Sequence, residues 1–206
     1  LRLLVAIEPD DDTTRLNDVK TDRAGRLWGG TMAYDARADA GAFYRITAEG
    51  EVTTVASPTT ISNGVDWSLD GSLMYYIDTA TGRMDVFDFD VERGSAVGRR
   101  PFIHFDQSFG IPDGMTIDAD GCLWVAFYDG WAVRRFDPSG TLDRTVELPT
   151  ARTTSCCFGG PNLDQLYVTS ARDGLTGAQL AEQPHAGALF VIEPGVAGLP
   201  ITPFAG

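Results

Sequence analysis

The chain has 206 residues, enough for a domain with a substantial core, and its 29 acidic against 16 basic residues give a formal net charge of -13. That charge excludes nucleic acid and anionic membrane as partners, while most of the carboxylates read as solvated surface. Three cysteines without metal spacing and two isolated histidines exclude a disulfide framework and an imidazole-built zinc site, so any metal here is held by oxygen.

In chain order, residues 1–7 form an apolar run too short to span a membrane and without the layout of a secretory signal; it reads as a strand. An acidic loop follows from Glu8, then Arg15-Leu-Asn17-Asp18. In an extended segment Arg15 and Asn17 share a face. An Arg beside an Asn can donate to a polyoxygenated or anionic ligand, and is equally compatible with a surface ion pair. Residues 27–33 read as a strand, and 34–41 as a polar loop in which Asp35 lies just past a strand end, where loops carry function. A hairpin over 43–55, strands over 75–78 and 84–89, and a connecting loop over 91–100 come next. Residues 111–118 alternate as a half-buried strand does. The turn Asp118-Ala-Asp-Gly121, an aromatic strand over 123–128 and a second turn at Asp129-Gly130 complete the clearest unit of the chain. Residues 172–184 are a partly helix-compatible insertion, 189–192 the last strand, and 203–206 a tail. Cys156 and Cys157, adjacent on a strand, face opposite sides and read as small buried thiols, which favours a reducing, cytoplasmic compartment.

That unit recurs. Asn17 to Gly25, Asn63 to Gly71 and Asp113 to Gly121 align without gaps, and each Gly is followed two residues later by Leu27, Leu73 or Leu123. A weaker fourth copy runs from Cys156 to Tyr167, with Asp164 in place of the turn Gly. A period of about 43 to 50 residues, with room for about four short strands in each, is that of a propeller blade. The fold class is therefore all-β, a β-propeller of about four to five blades. Equivalent positions of propeller blades converge on the central axis. Asn17, Asn63 and Asp113 hold one such position; singly each reads as a turn residue, but three at matched register favour a site.

Arg15-Leu-Asn-Asp, Ile61-Ser-Asn-Gly-Val-Asp-Trp-Ser, Tyr75-Tyr-Ile-Asp, Ile111-Pro-Asp-Gly-Met, Leu123-Trp-Val-Ala and Thr154-Ser-Cys-Cys-Phe-Gly-Gly resemble the SMP-30/gluconolactonase/regucalcin family over essentially the whole chain. The resemblance implies a six-bladed propeller, hydrolysis of sugar lactones such as gluconolactone, and one divalent cation on the axis. Ca2+ is the first candidate, with Zn2+, Mn2+ or Fe2+ as alternatives. It implies Asn63 and Asp113 as metal ligands, Asp113 also as general base, and Arg15 and Asn17 as substrate-binding residues. Asp35 falls where some members carry a substrate-contacting Glu one methylene longer. An Asp on a cation is a weak base, which sits uneasily with the second role of Asp113.

Six blades need roughly 270 residues. The expectation is one propeller domain over 1–206 with N-terminal blade material missing, including the family's third protein ligand, a Glu; Glu8 does not match it by context. The chain is expected to act as a monomer or weak homodimer. The alternative readings are a non-catalytic calcium-binding propeller and an inactive fragment of a lactonase.

Overall fold

The computed structural model describes residues 3–206. They form four antiparallel sheets, each made of strands consecutive in sequence. The first sheet is β1 (Thr14–Thr21), β2 (Leu27–Ala33), β3 (Gly41–Ile46) and β4 (Val52–Thr59). The second is β5 (Ser62–Trp67), β6 (Leu73–Asp78), β7 (Arg83–Asp90) and β8 (Ser95–His104). The third is β9 (Ile111–Ile117), β10 (Leu123–Tyr128), β11 (Ala132–Phe136) and β12 (Leu142–Glu147). The fourth has three strands, β13 (Thr153–Gly159), β14 (Gln165–Ser170) and β15 (Leu189–Ile192), with helix α1 (Gly177–Glu182) between the last two. Up-and-down sheets of this kind, one per sequence repeat, are the blades of a β-propeller.

The chain divides into two compact units, residues 3–102 with 201–206 and residues 103–200. The first unit holds the first sheet and the second up to residue 102 in β8. Its core packs Trp28 and Phe43 against Val65, Trp67, Met74, Tyr76, Phe87 and Phe89. The rings meet at an angle: Trp28 lies edge-on to Trp67 at 6.1 Å and to Phe89 at 5.5 Å. The Tyr76 hydroxyl donates to Ser62 Oγ at 2.9 Å, and burial raises its pKa. Glu8 anchors the acidic loop by accepting from Thr31 Oγ1 at 2.8 Å, Tyr44 Oη at 2.7 Å and Thr14 Oγ1. The end of the chain docks here too, with Ala205 N donating to Gly25 O at 3.0 Å. In the second unit Trp124, Ala126 and Val133 pack against Cys156, Phe158, Leu166 and Val168.

A repeated turn ties the inner hairpins. Asp22 Oδ1 accepts from Ala24 N and Arg26 N, and its Oδ2 from Arg26 Nε and Trp28 Nε1. Asp118 repeats this atom for atom in the third sheet, with Asp120 N and Cys122 N on Oδ1 and Arg135 Nε and Trp124 Nε1 on Oδ2. Both carboxylates are fully buried. Where the second sheet puts Ser68 for the Asp, it also puts Met74 for the Trp.

The structure departs from the sequence reading in four places. Residues 3–7 join no sheet, because an apolar run needs a partner edge and none takes it up; residues 1 and 2 lie outside the described residues. The expected connecting loop over 91–100 is largely β8, a solvated outer strand whose Arg99 and Arg100 pair with Asp85 and Asp88 of β7 and mask its periodicity. Residues 115–118, read as half-buried, are buried on both faces. Cys156 is buried, but Cys157, on the opposite face, is exposed.

Candidate functional site

The first strand of every sheet carries a β-bulge, and the bulge falls on the head of the repeat. In β1 Leu16 pairs with Thr31 and Val19 with Gly29, so Asn17 and Asp18 share one place in the ladder. In β5 the extra residue falls within Asn63-Gly64, in β9 within Asp113-Gly114, and in β13 at Thr154. A bulge breaks the ladder and re-aims a side chain, and such bulges gather beside functional sites. The same register identifies Thr154 as the fourth head. The sequence runs that copy through Cys156 and, although the segment from Thr153 opens the blade, does not single out Thr154 as its head, because a Thr carries none of the Asn/Asp signal.

In the first unit the structure brings three of the five expected residues into contact. Arg15 Nη1 donates to Asn17 Oδ1 at 2.8 Å and to Leu16 O at 3.0 Å. Asn17 Nδ2 donates to Ser62 O at 2.9 Å and to Asn63 Oδ1 at 3.0 Å. Asn63 Nδ2, buried, donates to Thr79 Oγ1 at 2.7 Å. Arg15 is exposed while Asn63 is only 7% exposed, so the chain of contacts runs inward. The close approach of the two inner strands depends on Gly30: a Cβ there would lie 2.1 Å from Ser62 Oγ. Asp18, beside Asn17, has its pKa raised by burial, against a weaker opposing hydrogen bond from Val19 N.

Asp35 is not part of this group. It is exposed and engaged by Arg37, whose N–H groups hold its pKa down. Asp113 lies in the second unit, half-buried on its bulge. Gly114 next to it packs on Ser155, and the Asp113 charge adds a little to the upward shift that burial gives the Tyr128 hydroxyl.

Asn63 in the first unit and Asp113 in the second each offer oxygen, the donor type a hard cation takes. Asn63 meets that requirement as folded, since its amide nitrogen is spent on Thr79 and its oxygen keeps a second lone pair beyond the bond from Asn17. Among the described residues no three of His, Cys, Asp and Glu cluster in a way that could hold a metal ion. Among the described residues no helix is long and apolar enough to cross a membrane.

Residues 1–172 match the family model described as the SMP-30/gluconolactonase/LRE-like region. The chain belongs to the SMP-30/gluconolactonase/LRE-like family. It is 44% identical to regucalcin of Sus scrofa over 211 residues, spanning 99% of this chain and 71% of that protein, and 43% identical to regucalcin of Homo sapiens over the same shares. Among solved structures it superposes on the calcium-binding protein regucalcin of Agrobacterium tumefaciens with a TM-score of 0.95 and 32% identity, covering 99% of this chain and 69% of that one. It matches the luciferin-regenerating enzyme at a TM-score of 0.89 and 38% identity, covering 96% and 67%. Family membership agrees with the propeller fold and with the motifs at Arg15, Asn63 and Asp113.

Proposed function

We propose that this chain hydrolyses sugar lactones of the aldonolactone type with the help of one divalent cation, Ca2+ first among the candidates. The observation that carries the reading is the Arg15–Asn17–Asn63 group, seated on consecutive bulges of the first unit. Arg15 is exposed and keeps guanidinium N–H groups beyond those used on Asn17, Leu16 and Met32, so it can bind ring oxygens and the oxyanion that develops at the carbonyl. Asn17 fixes the guanidinium by accepting from it. Asp35, on its exposed loop, would take a more distant hydroxyl. A bound cation would supply Lewis-acid polarisation of the lactone carbonyl, and Asn63 and Asp113 are the residues that would hold it. Asp113 is also the candidate base, removing the proton of the attacking water; ring opening then leaves a hydroxy acid.

A second reading is calcium binding without catalysis, in line with the description of the A. tumefaciens relative as a calcium-binding protein. Arg15 separates the two, because a bare cation site has no use for a guanidinium. The test is acid release from a panel of aldonolactones in a pH-stat, first with chelator and then with Ca2+, Mn2+ or Zn2+. Cation-dependent turnover, lost in Arg15→Ala and Asn63→Ala, is expected. Folded protein that binds Ca2+ but opens no lactone would replace the enzyme by the binding protein.

A further inference from the structure

The hydrogen bonds from Arg15 run in one direction, and chemistry dictates that direction. A guanidinium only donates, so the Asn17 atom facing Arg15 Nη1 must be its oxygen. Its nitrogen then points the other way and spends both hydrogens, one on Ser62 O and one on Asn63 Oδ1. A flipped Asn17 would set N–H against N–H at Arg15 and oxygen against oxygen at Ser62. The Asn63 atom facing Asn17 is therefore oxygen as well, and the Asn63 nitrogen is sent to Thr79 Oγ1 at 2.7 Å. Thr79 is itself fixed. It is buried just past the end of β6, and its N–H donates to Ile61 O at 3.0 Å. The Asp78 carboxylate beside it accepts from Thr60 N at 3.1 Å and Ile61 N at 3.0 Å. Three hydrogen bonds thus tie the segment that enters the strand of Asn63 to Asp78 and Thr79.

We propose that Thr79 is a positioning residue. It receives the amide of a one-way hydrogen-bond chain, Arg15 to Asn17 to Asn63 to Thr79, that keeps the Asn63 oxygen rather than its nitrogen available to a hard cation. The inference rests on the proposed role of Asn63 as a cation ligand. It adds that the exposed arginine and a buried threonine together set the polarity of that ligand. Removing the Thr79 hydroxyl leaves the Asn63 nitrogen without its buried acceptor and frees the amide to rotate. Outer contacts of this kind typically change metal affinity about 10- to 100-fold.

The test compares Thr79→Val and Thr79→Ser with the wild-type chain, all checked for folding by circular dichroism; Thr79→Ala replaces the valine variant if that one does not fold. The first readout is the Asn63 side-chain amide in a nitrogen–proton correlation spectrum, assigned by its loss in Asn63→Ala. Slow exchange with solvent is expected in wild type and Thr79→Ser and fast exchange in Thr79→Val. The second is Ca2+ and Mn2+ affinity by titration calorimetry, expected to fall about tenfold in Thr79→Val and to stay within about twofold of wild type in Thr79→Ser. An Asn63 amide unchanged by Thr79→Val overturns the positioning role. A cation affinity that Asn63→Ala lowers and Thr79→Val does not overturns its link to the cation. An affinity indifferent to Asn63→Ala, or no binding by wild type, overturns instead the reading of Asn63 as ligand, while the spectrum still decides whether Thr79 positions it.

Discussion

Replacing Asp118 by Asn removes one charge and changes almost no volume, yet the structure makes it a severe substitution. The Asp118 carboxylate faces four donors: Asp120 N at 3.0 Å and Cys122 N at 2.9 Å on one oxygen, Trp124 Nε1 at 2.9 Å and Arg135 Nε at 2.7 Å on the other. An amide has one oxygen, so in either orientation its NH2 is pressed against two donors inside a site with no exposure. Each buried donor left unpaired costs about 1–3 kcal/mol, and part of that is recovered by relaxation, so about 2–4 kcal/mol is expected in all. Arg135 is not stranded, because Asp120 and Asp143 also hold it at 2.8 Å; this keeps the cost at or below the roughly 3–5 kcal/mol of a broken buried pair. At that size the melting temperature falls by roughly 4–16 °C. Asp143→Ala, which removes a more exposed partner of the same arginine, should cost no more than about 1 kcal/mol. Urea unfolding followed by circular dichroism measures both. An Asp118→Asn protein within about 1 kcal/mol of wild type would refute the four-donor argument, and Asp22→Asn in the first sheet repeats the test independently.

Three further outcomes follow from the same structure. Gly114→Ala places a Cβ 2.3 Å from Ser155 Oγ and should cost about 1–3 kcal/mol; Ser155→Gly should recover part of that in a double-mutant cycle, and additive effects would rule out the contact. Cys157 is exposed whereas Cys122 and Cys156 are buried, with burial pushing the Cys122 thiol up, so a thiol reagent should modify one cysteine in native protein and three after unfolding. The Asp70 carboxyl is held down to about 2 by the Ser68 hydroxyl first, then by the Ser72 N–H and hydroxyl. Its folded pKa lies below the unfolded value, so its stabilisation is complete above the ordinary Asp range and is lost as pH falls toward about 2; Ser68→Ala should move its NMR titration upward.

The repeat was legible because each copy spends its residues on the same jobs: a polar head, a turn glycine, a leucine two later. In the second and third sheets those jobs fall on β5, β6, β9 and β10, which are buried on both faces along most of their length, so substitution there is costly. The outer strands were less legible for the converse reason. In β8 the charged side chains answer Asp85 and Asp88 across the sheet rather than any period along the strand. In the site, Arg15 and Asn17 were legible as a pair because extended backbone puts alternate residues on one face, and the 2.8 Å bond between them has that geometry. Thr79 was not, since its tie to Asn63 crosses a hairpin and an isolated Thr after a strand carries no signal of its own.

Internal comparison of the sheets separates residues that hold the fold from the heads of the repeat. Asp22 and Asp118 come with Trp28 and Trp124, while Ser68 comes with Met74: carboxylate and indole are kept or given up together, as expected of two halves of one buried hydrogen bond. The heads follow a different rule. Asn17, Asn63, Asp113 and Thr154 differ in residue type, yet each strand keeps the bulge at its head. A feature kept only for packing would not need a break in the ladder, which weakens pairing, at the same place four times. What the four positions share is a side chain bearing oxygen at an irregularity in the first strand of its own sheet, and oxygen at a bulge is what the proposal for Asn63 draws on.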